Sequence, residues 1–219
     1  VSAAAIGSAS SRSPWRPLLR HRGLLVALGV FAALLLTTDL ISAGSFSYFE
    51  VSFLSSGGAT MAIAAIGETL VVISGGFDLS AGAVISLVNV VLASNMQGNP
   101  ASMLLWCLVG VGIGFATGVF NAFFIAVLRL QSIVVTLSTM FIVQGVTLLI
   151  MEKPGGQIPP SLGALIVGDA VPNLLPMPIV ILAVLIALWL YLKSTWLGTA
   201  IYAIGSDAEA SRSAGIRVA

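Results

Sequence analysis

The sequence predicts an all-α fold: a polytopic transmembrane helical bundle of about six spans, with a cytoplasmic N-terminus and a break at one glycine-rich turn. Three observations lead there. Hydrophobic residues make up 58% of the 219 and charged residues only 8%, far more apolar surface than a water-soluble core of this length uses. Between positions 24 and 149 the only formal charges are Asp39, Glu50, Glu68, Asp78 and Arg129. Finally, a hydrocarbon core of roughly 30 Å asks for about 20 apolar residues per helix, and runs of about that length recur along the chain.

A basic leader, 1–22, opens the chain with Arg12, Arg16, Arg20, His21 and Arg22. Spans follow near 23–41, 51–74, 79–94, 103–128, 133–151 and 177–192. Turn chemistry separates them: a Ser/Gly stretch at 42–47, the Gly75-Gly76 pair, Asn95 to Pro100, Arg129 to Ser132, and a proline-rich loop over 152–176. Residues 193–219 leave the bilayer as a more polar segment. If all six segments cross, Arg12, Arg16, Arg20, Arg22, Arg129, Lys193, Arg212 and Arg217 share one side and Lys153 faces the other, which makes the basic side cytoplasmic. A re-entrant 51–74 would set the N-terminal arginines against Arg129 and Lys193, so six crossings are favoured. A competing reading takes 24–40 as the core of a signal peptide cleaved near Ser42-Ala43-Gly44; the long polar leader and the length of the run favour a span.

Glycines crowd the second and fourth segments. Gly57, Gly58 and Gly67, then Gly110, Gly112, Gly114 and Gly118, include small-xxx-small spacings that let helix backbones approach, either within one bundle or between subunits. No catalytic constellation is evident. His21 is the only histidine, no cluster has metal-ligand spacing, and no phosphate-binding G-x-x-x-x-G-K-[ST] loop occurs, so neither a metal, a cofactor nor intrinsic ATP hydrolysis is expected. A net charge of +1 gives no electrostatic footprint for nucleic acid.

Intramembrane polarity is what remains. Glu68 falls past the middle of the second span, where a carboxylate must face a polar cavity, pair or bind a proton, unless the helix tilts it to the cytoplasmic interface. Asn121 and Gln144 are uncharged polar groups at membrane depth; interhelical hydrogen bonding explains either one, and a solute path explains them together with Glu68. Gly75 and Gly76 allow a tight turn, after which Asp78 and Ser80 are placed to cap the third helix. In the C-terminal segment a short cytoplasmic helix is expected to begin near Ser206, with Asp207 and Glu209 in its first turn, flanked by Gly205 and Gly215.

Three blocks carry a resemblance. GETLVVISGGFDLSAGAVISL, from Gly67, resembles the signature Gly-x-Thr, Gly-Gly-Ile-Asp-Leu-Ser-x-Gly of sugar-type permease subunits of bacterial ATP-binding-cassette importers, the ribose, xylose and galactose class, with Phe77 in the isoleucine place. NAFFIAVLRLQSIVVTLSTMFIVQGVTLLI, from Asn121, is similar to that family's next block, and STWLGTAIYAIGSDAEASRSAGI resembles its cytoplasmic loop. The chain departs from the family pattern at Leu197-Gly198-Thr199, at Ser206-Asp207 and at Gln144. The resemblance implies a bacterial inner-membrane protein, truncated at its C-terminus relative to a family that continues with further spans. It implies a second permease subunit beside it in the lipid bilayer, a periplasmic or extracellular solute-binding protein delivering a sugar or sugar-like solute, and a cytoplasmic ATPase that docks on a coupling loop containing Gly205, Ser206, Asp207, Glu209, Ala210, Ser213 and Gly215. An ion-coupled secondary transporter using Glu68 and Asp78, or a non-transporting membrane scaffold, are the readings weighed against it.

Overall fold

A computed structural model describes residues 22–41, 47–153 and 155–216. The basic leader with Arg12, Arg16 and Arg20, the turn at 42–46, and Arg217 lie outside the described residues. The chain forms two compact units, 1–47 and 48–219, and the described part of the first is one helix, α1 (Arg22–Ile41). Its 20 residues rise about 30 Å, the thickness of a hydrocarbon core.

The second unit begins with α2 (Tyr48–Ile73), followed by α3 (Ala81–Asn95) and α4 (Pro100–Ala122). A π-helical turn (Phe123–Val127) extends α4, and α5 (Ser132–Ile150) follows. After α5 come a short helix α6 (Pro160–Val167), an antiparallel pair β1 (Asp169–Val171) and β2 (Leu175–Pro176), then α7 (Met177–Ser194), α8 (Trp196–Ser206) and α9 (Ala208–Ser213). Among the described residues five helices are long and apolar enough to cross a membrane: α1, α2, α4 with its π turn, α5 and α7. The third apolar segment differs from the expected full span. Its helix, α3, has 15 residues and rises only about 22 Å, because the chain between Gly75 and Ser80 is turn and irregular backbone.

Burial is inverted relative to a water-soluble domain. Long apolar side chains such as Phe53, Met61, Val111, Phe115 and Leu149 stand exposed, while the buried residues include Ser80, Asn121, Thr136, Thr139 and Ser211. Lipid solvates the first set as well as protein would, so the second set has to be satisfied internally. This is a polytopic helical membrane protein.

Two groups of helices build the second unit. α3 packs against α5 and α4, and α2 packs against α7 and α8. The α3–α4 approach depends on Gly110, where an added Cβ would sit 3.0 Å from Val88 Cγ1 and 3.3 Å from Leu92 Cδ1. Gly57, Gly58, Gly67, Gly112, Gly114 and Gly118 show no such crowding. Gly110→Ala is therefore expected to cost about 1 kcal/mol through overpacking, whereas Gly112→Ala, with open space at its Cβ, leaves the unfolding midpoint in detergent nearly unchanged.

Structure replaces the loop expected over 152–176 in part. Pro160 starts α6, and the β1–β2 pair is tied to the start of α2 by a hydrogen bond from the Tyr48 hydroxyl to Asp169 Oδ1. Apolar periodicity gives no warning of so short a hairpin.

Candidate functional site

The end of α2 forms a Schellman motif. The Gly75 N–H donates to the Val72 carbonyl (3.0 Å) and the Gly76 N–H to the Val71 carbonyl (3.0 Å), with Gly75 in the left-handed region at φ +88°. Of the two glycines expected to make this turn, Gly75 carries the unusual backbone conformation, and a Cβ on Gly76 would lie 3.3 Å from Val71 Cγ1. The chain then passes through Phe77 and Asp78 without regular structure and bends at Leu79 and Ser80 into α3.

Asp78 and Ser80 hold this entry together differently from a simple helix cap. Asp78 Oδ1 accepts from the Ser80 N–H (2.8 Å) and from the Ser80 hydroxyl (2.6 Å), closing an Asx turn. Ser80 occupies the N-cap position of α3, yet its side chain bonds no free N–H of that helix. The reason lies in its surroundings. Ser80 is 1% exposed and its hydroxyl accepts from Asn121 Nδ2 (3.0 Å), while Asn121 Oδ1 accepts from the Thr139 hydroxyl (2.6 Å). Each donor in this series points towards Asp78, so the series ends on a group that only accepts. It crosses from α5 through α4 to the turn before α3, and every polar atom it buries has a partner, as low dielectric surroundings require.

Further bonds clamp the same turn. Glu68 Oε1 accepts from the Asp78 N–H (3.3 Å), the Ser132 hydroxyl accepts from the Phe77 N–H (3.3 Å), and the Thr136 hydroxyl donates to the Phe77 carbonyl (3.3 Å) as well as to the Ser132 carbonyl (2.9 Å). Glu68 is half-buried and bonded to the turn, which gives its carboxylate a role that neither tilt to the interface nor an ion site had supplied.

Two clefts flank this polar series, of about 490 and 320 Å³. Val71, Asp78, Gly118 and Asn121 line both and so form the wall between them. Ser132 and Thr136 face the larger cleft, and Glu68, Ser80 and Thr117 the smaller. Gly114 and Gly118 keep α4 bare here, with nothing within 4 Å of where a Cβ would stand. The donors and acceptors on these walls are neutral hydroxyls, an amide and two carboxylates, a set able to hydrogen-bond a polyhydroxylated solute.

Sequence reasoning brought forward Glu68 and Asn121, which the structure places in this network, and Gln144, which it does not. Gln144 is exposed on α5 and lines neither cleft. Ser132, Thr136 and Thr139 were missed. Their signal is a polar stripe spaced by four and three residues on an otherwise apolar helix. The π turn directly after Asn121 was also missed; there Phe124 packs against Phe120 (ring centroids 4.8 Å) and edge-on against Phe123 (5.5 Å). Among the described residues no group of His, Cys, Asp and Glu is placed to hold a metal ion.

At the other end of the chain, Asp207 caps α9: its Oδ1 accepts from the Glu209 N–H (3.0 Å) and the Ala210 N–H (2.9 Å). The expected short helix thus starts at Ala208, with Ser206 closing α8, Asp207 as N-cap and Glu209 in the first turn. A second Schellman motif ends it, with Gly215 (φ +86°) donating to the Arg212 carbonyl and the Ile216 N–H to the Ser211 carbonyl, both at 3.0 Å. Ser211 is buried, its hydroxyl donating to the Asp207 carbonyl (2.7 Å), whereas Glu209, Ala210 and Ser213 are exposed.

Residues 51–219 match the family described as branched-chain amino acid transport system / permease component. The chain belongs to this permease family. It is 33% identical over 202 residues to a probable ABC transporter permease protein of Sinorhizobium fredii, covering 90% of this chain and 59% of that protein. To the galactofuranose transporter permease protein of Escherichia coli it is 36% identical over 163 residues (72% and 46%), and to the ribose import permease protein of the same species 31% over 197 residues (85% and 60%). The chain therefore spans between about half and three fifths of the length of the curated relatives it matches. No solved structure matches it. The resemblance to sugar-type permease subunits of ATP-binding-cassette importers, drawn from the GGFDLS turn and the C-terminal loop, agrees with these relatives. Within the permease family, the matched region holds both the polar series and the capped helix α9.

Proposed function

We propose that this chain works as the transmembrane permease subunit of an ATP-driven importer that carries a sugar or sugar-like solute across the bacterial inner membrane. The observation that carries this reading is the wall of Asp78, Gly118 and Asn121 between two clefts, in which Asp78 and Asn121 are joined through the Ser80 hydroxyl. Such a wall offers hydroxyl, amide and carboxylate groups as hydrogen-bond partners, which suits a solute recognised through its hydroxyl groups. The relatives named for galactofuranose and ribose support the same class of solute. Glu68 and Asn121 then belong to the path, each bonded within the closed wall.

The energy would come from a separate cytoplasmic ATPase, docked on α9 and its flanks from Gly205 to Gly215. Support for that site is local: Asp207 and Gly215 fix both ends of a six-residue helix, too short to hold by itself, and present Glu209, Ala210 and Ser213 outward. A solute-binding protein outside and a second permease subunit would complete the assembly.

Co-purification with ATP-binding-cassette ATPases tests the proposal. The intact chain is expected to retain such an ATPase, and replacing 205–215 with a Gly/Ser linker is expected to abolish retention while membrane insertion persists. Equal retention by both forms would remove α9 from the interface, and no retention by either would sink the importer reading.

A further inference from the structure

Gly205, at the end of α8, meets the end of α2. A Cβ at position 205 would fall on the Ile73 carbonyl oxygen, 2.8 Å from the Ile73 carbonyl carbon and 3.4 Å from Ser74 Cα. The obstruction is backbone, so no side-chain rotation relieves it. Ile73 is the last residue of α2, in the last turn, where carbonyls lack helical partners, and the approach of a bare Cα to its oxygen is the kind of close contact that only glycine permits.

The place of this contact gives it consequence. α2 packs with α7 and α8, while α3 packs with α4 and α5, and residues 74–80 carry the chain from the first group to the second. One end of that turn rests on Gly205. Its other end is held by the series from Asp78 through Ser80 and Asn121 to Thr139. Both clefts lie between α2 on one side and α4 on the other, so movement of the α2 end relative to Asn121 alters their width.

We infer that Gly205 is a positioning residue for the solute path: its contact with the Ile73 carbonyl makes α8, α9 and the 74–80 turn move as one body, so that displacement of α9 opens or closes the wall at Asp78 and Asn121. This rests on the reading of α9 as the ATPase-facing element and adds the joint through which a push there reaches the path. A coupling of this kind is reciprocal: loosening the wall must be felt at α9 as surely as disturbing Gly205 is felt at the wall.

Amide hydrogen exchange on the chain in lipid nanodiscs, with no partner present, reads the coupling in both directions. In Gly205→Ala, exchange at Gly75, Gly76 and Ser80 is expected to rise by about tenfold while α7 stays within about twofold of the parent chain. In Asn121→Ala, a change that touches no residue of α8 or α9, exchange at residues 207–211 is expected to rise by about threefold or more. A purely local clash in the first variant disturbs Ser74 and its neighbours but leaves Ser80, and leaves 207–211 unchanged in the second variant; that pair of results overturns the inference. If Gly205→Ala does not insert, the Asn121→Ala arm decides alone. The outcome is separable from the ATPase test: exchange coupling without ATPase retention leaves the joint standing and removes the importer, and retention without coupling does the reverse.

Discussion

Asn121→Leu is expected to lower the stability of the bundle by about 2 kcal/mol, the sum of two interhelical hydrogen bonds at roughly 0.6 to 1.7 kcal/mol each in a membrane. Leucine keeps the branched outline of the amide but is larger, so at this buried site some overpacking adds to the lost bonding. The Thr139 hydroxyl would lose its acceptor and Ser80 its donor, both at sites no more than 3% exposed. Ser80 would still reach Asp78 Oδ1, and Thr139 can turn to a carbonyl of its own helix, which keeps the cost well below that of two stranded groups. Unfolding in detergent, followed by the far-ultraviolet helix signal, measures the loss. A partner variant sharpens the test. Thr139→Val removes one of the same bonds, so the double variant should lose less than the sum of the two singles by about 1 kcal/mol. Strict additivity would mean that Asn121 and Thr139 do not bond.

Gly75→Val should cost about 2 kcal/mol or more and reduce the yield of inserted protein, because a β-branched side chain is forced to φ +88°. Its neighbour supplies the control. Gly76 has an ordinary φ, and a Cβ there meets Val71 Cγ1 at 3.3 Å and the Val71 carbonyl oxygen at an unstrained 3.6 Å, so Gly76→Ala should lose a fraction as much. Gly75→Asn should fall between, since asparagine tolerates the left-handed region better than other residues. The order Val, Asn at position 75, then Ala at position 76 is the informative readout. Equal losses across the three would show that crowding, and not the left-handed backbone, governs this turn.

The two cases also show what a one-dimensional reading reaches. Run length alone finds a helical membrane protein, because about 20 apolar residues have few other uses. Gly75-Gly76 and Asp78 announce a turn through local backbone preferences. What Asp78 and Ser80 do there is less local: the capping role expected of Ser80 gives way to a bond with Asn121, 41 positions later, and that choice is made by tertiary packing. Thr136 and Thr139 are hidden for a related reason. A threonine in a membrane helix can always satisfy itself on its own backbone, as Thr147 does on the Val143 carbonyl, so its presence says nothing of whether it also reaches another helix. Gln144 is the converse. It is as polar as Asn121 and equally conspicuous in sequence, yet it sits on another face of its bundle. Gly205 stands out in sequence only as a flank of the expected cytoplasmic helix; its meeting with Ile73, more than half the chain away, leaves no sequence signal.

The shortness of α3 bears on the solute path proposed above. A solute pays for crossing oil in proportion to the distance over which it goes without water, and a helix of 15 residues leaves roughly 8 Å of a typical hydrocarbon layer unspanned. The polar backbone of Gly75 to Ser80 precedes that helix in the chain. If α3 lies in the bilayer as the proposed path requires, about a quarter of the hydrocarbon thickness beside it is left to this polar turn, and a shift of a few ångströms at the α2 end is large on that scale.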